Sequence, residues 1–176
     1  MLMKFLSSWW LLIPWLAYPT LPVAAQHSQE STLLQRQAYF NAAGPLLQTY
    51  VQEQHTWNHY FTTIAPDQSA REQITPQQKY RGFLNHTLTQ WRQLSVIPAC
   101  QSSHFLYELA LYSYAVAADF RLTFLYAKSS VLESKKAAQL AEDRSRHYTA
   151  KGDAYFKEAN MLAQSSGCVN SPTPAE

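Results

Sequence analysis

The chain has 176 residues, 47% of them hydrophobic, 14% aromatic and 15% charged, with a formal net charge of +2. A chain of about 150 residues buries roughly two-thirds of its unfolded surface, so one domain with a sizeable core is expected, not a disordered or fibrous chain. Near-neutral charge without basic blocks leaves no electrostatic footprint for nucleic acid. Two cysteines are too few for a four-thiolate zinc module or a disulfide-dense miniprotein.

Residues 1–25 read as a secretory signal. Lys4 is their only charge, the apolar stretch 5–16 follows, and Val23, Ala24 and Ala25 supply small side chains before the polar Gln26. Pro14, Pro19 and Pro22 make the segment a poor membrane anchor, because a spanning helix needs about 18 or more clean apolar residues. Cleavage would leave residues 26–176, with 13 basic and 12 acidic side chains. The protein is therefore expected to be exported, either periplasmic or extracellular, with no stable membrane span once processed.

Residues 26–165 carry a helical period nearly throughout and no sustained two-residue alternation, so the class is all-α. A short helix is predicted over 30–43, with Leu33, Leu34, Gln37, Ala38 and Phe40 as its stripe. Gly44 and Pro45 read as a stop and a restart. A longer helix over 45–64 places Leu46, Leu47, Tyr50, Val51, Trp57, Phe61 and Ile64 on one face. Ala65, Pro66 and Asp67 end it, and a polar loop is expected to residue 75. Thr75 followed by Pro76, Gln77 and Gln78 then resembles a capped start. The stripe beyond it runs Tyr80, Phe83, Leu84, Leu88, Trp91 and Leu94, and Pro98 closes the segment.

Residues 105–127 contain only Glu108, Asp119 and Arg121 as charges. A helix apolar most of the way round belongs at the centre of a bundle, with Ser102 or Ser103 able to cap it. The segment 132–165 is amphipathic again, with Leu140, Tyr148, Tyr155, Phe156, Ala159 and Leu162 on its apolar side. Residues 166–176 form a tail. The architecture expected is an antiparallel bundle of about four long helices, with the short N-terminal helix in front.

In an exported protein, Cys100 and Cys168 are best paired as a disulfide. Between residues 105 and 150 there is neither Gly nor Pro, so backbone chemistry alone permits one straight helix of about 94 Å over 103–165. A bridge demands Cα atoms within about 7 Å. Only a hairpin reconciles the two, with its turn near residue 134 or at Ser129 and Ser130, where Ser130 and Glu133 match a capping box.

Candidate chemistry is sparse. His55 and His59, one helical turn apart, can share a metal such as zinc or copper, but Thr56 stands where a zincin protease needs its glutamate. Glu108 and Asp119 lie roughly 16 Å apart along one helix, too far to act on one bond. Asp119 is expected to meet a tyrosine hydroxyl, Arg92 or Arg121. Met161 is the only methionine after the leader and reads as packing, and Gly44, Gly82, Gly152 and Gly167 form no phosphate loop. No catalytic constellation and no cofactor site emerges. The surplus of tyrosine points instead to a non-enzymatic binding or adaptor module holding a protein partner in an aromatic-lined groove. A metal carrier or sensor using His55 and His59 is the alternative.

Overall fold

The computed structural model describes residues 23–130 and 135–168, with side chains from residue 32 onward. Four long helices account for most of it: α1 (Val23–His59), α2 (Ala70–Arg92), α3 (Gln101–Ser129) and α4 (Lys135–Ser165). No strand occurs among the described residues. The expected all-α bundle is the fold. The leader expected over residues 1–25 lies outside the described residues except for Val23, Ala24 and Ala25, which open α1.

Gly44 and Pro45 do not break α1, so the short N-terminal helix expected over 30–43 is continuous with the next. Tyr39, Ala43, Leu47 and Tyr50, at spacings of four, four and three, are all buried and form one unbroken seam across the pair. Pro45 falls on the exposed side, where losing one backbone bond is outweighed by the packing on both flanks. Val51 and Ile64, expected on the inner face, are exposed. The regular helix gives way at its C-terminal end to a π-turn, Tyr60–Ile64, and then to a 3-10 turn, Ala65–Asp67.

The start of α2 lies earlier than Thr75. Ser69 caps it: its Oγ accepts from the Glu72 N–H, and the Glu72 carboxylate accepts from the Ser69 N–H at 2.7 Å. The Ser69 hydroxyl, donating to the same carboxylate at 2.7 Å, and the Ser69 N–H together hold the Glu72 carboxyl below its usual range. Pro76 thus sits inside the helix, in its second turn. The corner before α2 is tied by the buried Gln73, whose amide donates to the carbonyls of Ala65 at 2.8 Å and Gln68 at 3.1 Å.

Helix α3 is the centre. Tyr107, Ala110, Leu111 and Tyr114 meet Leu84 and Trp91 of α2, Tyr39 and Tyr50 of α1, and Ala159 and Ala163 of α4 in one core. Neither Ser102 nor Ser103 caps α3; Cys100 occupies that position, and Ser103 donates to its carbonyl at 3.0 Å. On α4, Ala141, Gly152, Ala159 and Ala163 are the buried positions, so small residues line the seam against α3. Leu140, Met161 and Leu162, expected to pack, are exposed.

Gly152 is needed for this approach: a Cβ there would lie 2.7 Å from Cε1 of Tyr114. Leu132 and the Ser130–Glu133 cap expected for the turn involve residues 131–134, which lie outside the described residues. The chain nevertheless reverses between Ser129 and Lys135.

Cys100 and Cys168 are bonded, with Cα atoms 5.6 Å apart across 68 positions of sequence. Two local devices aim them. A 3-10 turn, Pro98–Cys100, delivers the first. At the end of α4, Gly167 takes φ 65°, and the N–H groups of Cys168 and Gly167 donate to the carbonyls of Ala163 at 2.8 Å and Gln164 at 3.2 Å. That pair of bonds is a Schellman stop, and it turns Cys168 back toward the bundle.

Two measurements follow from this packing. Cys100→Ser should lower stability as much as reduction does, by about 4 kcal/mol in the chain-entropy account of a loop this long; superimposable melts with and without reductant would show otherwise. Gly152→Ala should lower stability by about 1–3 kcal/mol, since the Tyr114 ring must move to admit one methyl; a neutral or stabilising result in denaturant titration would disprove the close approach.

Candidate functional site

His55 and His59 are both exposed, on the last turns of α1. Thr63 Oγ1 lies 3.4 Å from Nδ1 of His59. Among the described residues no group of three or more His, Cys, Asp or Glu side chains gathers to hold a metal. The two buried-helix acids are paired with α2. Glu108 accepts from Arg92 at 2.7 Å, and Asp119 pairs with Arg81, not with the expected Arg92, Arg121 or tyrosine.

The tyrosine surplus is largely internal. Tyr107 donates to Asn160 at 2.6 Å, Tyr114 to Asp153 at 2.7 Å and Tyr80 to Gln54 at 2.8 Å. Burial pushes the Tyr80 and Tyr107 hydroxyls up to about 12, and raises Tyr39, Tyr50 and Tyr114 further still. All five therefore stay neutral wherever the bundle is folded at ordinary pH. Among the described residues the buried Tyr50 hydroxyl has no well-formed hydrogen bond, and the group close to it is the Tyr114 hydroxyl.

Among the described residues, His104 is the one buried imidazole. Its ring stacks on Trp91 at 4.9 Å between centroids, its Nδ1 lies 3.1 Å from the Tyr39 hydroxyl, and its carbonyl accepts from the Trp91 indole at 3.0 Å. Burial lowers its pKa, against a smaller opposing pull from Glu108.

Two surface features remain. The first is a cavity of about 190 Å³ at the end of the bundle where α1 passes into the π-turn. Every helix contributes to it: Asn58 from α1, Phe61 from the π-turn, Tyr80 from α2, Arg121 from α3 and Thr149 from α4. The floor is Ala117 and Ala118. Arg121 is the only charged residue in the lining. Its Nη2 lies 3.4 Å from Gln73 Oε1 and its guanidinium sits 4.8 Å from the centroid of Phe124, but no carboxylate lies within 4 Å of it among the described residues. Burial pushes its pKa down, and Glu142 and Arg146, themselves paired at 3.1 Å, act on it in opposite senses.

The second feature is the outward side of α3. At 100° per residue, Phe105, Leu109, Tyr112 and Val116 lie on one face, opposite Tyr107, Tyr114 and Ala118. Phe105 is 56% exposed and Tyr112 51%, with Leu109 and Val116 half-buried between them. A groove beside Phe105 is walled by Val96, Pro98 and Glu108. This stripe was visible in the sequence only as excess apolarity of α3, which suggested complete burial. Compared with protein-family models, curated proteins and solved structures, the chain matches none.

His104 makes stability depend on pH. Because the folded state lowers its pKa, the unfolded chain binds its proton more readily. Stability is complete above the ordinary histidine value of about 6.5 and falls as pH drops below it. The melting temperature should decline between pH 7.5 and pH 5, and His104→Gln should flatten that slope; an equal slope in both proteins would remove His104 as its source.

Proposed function

We propose that the chain is an exported, non-enzymatic binding module that holds a partner protein along the outward face of α3. The observation that carries this reading is the exposure of Phe105 and Tyr112 on a helix whose other sides are packed. The inward stripe of α3 is covered by α1, α2 and α4, whereas Phe105, Leu109, Tyr112 and Val116 have no cover of that kind. Contiguous apolar surface with aromatic anchors is the usual mark of a contact site, since leaving it in water forgoes about 25 cal/mol per Å².

The chemistry of the stripe selects the occupant. Its four residues span about 16 Å, three turns of helix, and the acids nearest to it, Glu108 and Asp119, are already neutralised by Arg92 and Arg81. A surface of this shape and charge suits an amphipathic helix of another protein, seated by apolar contact without a charge pattern. The bond between Cys100 and Cys168 supports an oxidising compartment, periplasmic or extracellular, as the place of the encounter.

A photo-crosslinking residue at position 109 should capture one discrete protein from the envelope or secreted fraction. Tyr112→Glu and Phe105→Glu should each abolish capture, while Leu140→Glu, on the exposed side of α4, should leave it intact. Capture indifferent to all three changes would refute the reading. Capture only of a second copy of the chain would replace it with self-association.

A further inference from the structure

We infer that the cavity between the four helices is a binding site for a small organic carboxylate with an apolar body about the size of a benzene ring. The first ground is charge. Arg121 brings the only formal charge to the lining, without a carboxylate partner among the described residues. A guanidinium does not lose its proton in a protein, and a partly desolvated one whose nearby acid, Glu142, is already paired with Arg146 is a standing cost that a bound anion removes.

The second ground is the state of the other polar groups. Several hydroxyl protons in the lining are already committed: Tyr80 to Gln54, Tyr114 to Asp153, Ser145 to the Ala117 carbonyl and Thr149 to the Ser145 carbonyl. The side-chain amides of Asn58 and Gln54 meet each other only at 3.4 Å, which leaves N–H groups for an incoming acceptor. The donors available to a ligand are thus a guanidinium and amide N–H groups, the set that carboxylates use.

Size and apolarity set the rest of the ligand. A cavity of about 150 Å³ accommodates benzene, and drug-sized ligands occupy roughly 300–1,000 Å³. The 190 Å³ here fits the smaller class. Phe61, Tyr80 and Tyr114 supply aromatic rings to the lining, and Ala117 and Ala118 methyl groups, which inorganic phosphate would leave unused. The site is independent of the outward face of α3, since none of the lining residues belongs to that stripe.

The test uses benzoate on the full secreted chain, with benzamide and inorganic phosphate as comparators, read by calorimetry and by methyl NMR shifts of Ala117 and Ala118. Saturable benzoate binding in the millimolar range or tighter, at least tenfold weaker for both comparators, is expected. Arg121→Gln should reduce benzoate affinity tenfold or more, and Arg121→Lys should restore part of it. No benzoate binding, or benzamide binding equally well, would overturn the charge argument, and phosphate binding equally well would overturn the apolar body. The unliganded Arg121→Met protein should melt no lower than wild type. A large drop would mark Arg121 as a structural residue held by Gln73 and Phe124 and would overturn the proposal as well.

Discussion

The covalent tie between Cys100 and Cys168 decides what the second half of the chain can be. Residues 105–150 contain no helix breaker, so local preference alone is compatible with one continuous rod. The tie excludes the rod, because its two ends must meet. It converts a sequence with no strong internal turn signal into a hairpin whose arms are pinned at the open end. The Schellman stop at Gly167 and the turn at Pro98 are the local conditions for it, since each brings a sulfur to the axis of the bundle.

Once pinned, the two arms are held close by small residues. Ala141, Gly152, Ala159 and Ala163 present little bulk to α3, so the backbones approach and Gly152 leaves room for the Tyr114 ring. The larger side chains of α3 meet aromatic residues of α1, α2 and α4 alike. Tyr50 contacts Phe83, Tyr114 and Phe156, and Trp91 contacts His104 and Tyr107. Buried hydroxyls are costly unless bonded, and Asn160 and Asp153 on α4 accept from Tyr107 and Tyr114. The same pairs fix the register of α4 against α3, because a one-turn slip would strand both hydroxyls and drive Tyr114 into a side chain where Gly152 now leaves room.

Fold class, the pairing of the cysteines and the centrality of α3 were legible because each rests on a pattern repeated over many residues or on a hard distance limit. The errors came from single-residue signals. Gly44 and Pro45 carry a real local preference for a break, but the buried seam from Tyr39 to Tyr50 outweighs it. At α2 two capping patterns competed; Ser69 and Glu72 won over Thr75 and Pro76, and their Ser-x-x-Glu spacing was readable in the sequence. The π-turn has no sequence signature. The cavity was not legible either, since its lining comes from four separate segments that only the folded chain brings together. Excess apolarity on α3 showed that something must cover it, but not which faces this chain covers itself.

The cavity lies where α1 passes into the π-turn. Up to Tyr50 the inner positions of α1 are buried; beyond that point Trp57 and Phe61 stack on each other at 5.9 Å and meet the Tyr80 ring of α2 at 5.5 Å, tilted and edge-on, beside the main core. Five residues of wider π-helix follow directly on α1. Such turns recur at functional sites because they displace a helix locally without unfolding it. Here the last turns of α1 face the gap with Gln54 and Asn58, and the π-turn adds Phe61 to its wall. Gln73, the same side chain that ties the corner through Ala65 and Gln68, also meets Arg121. The corner that follows α1 and the guanidinium on the cavity wall are therefore tied to one and the same amide.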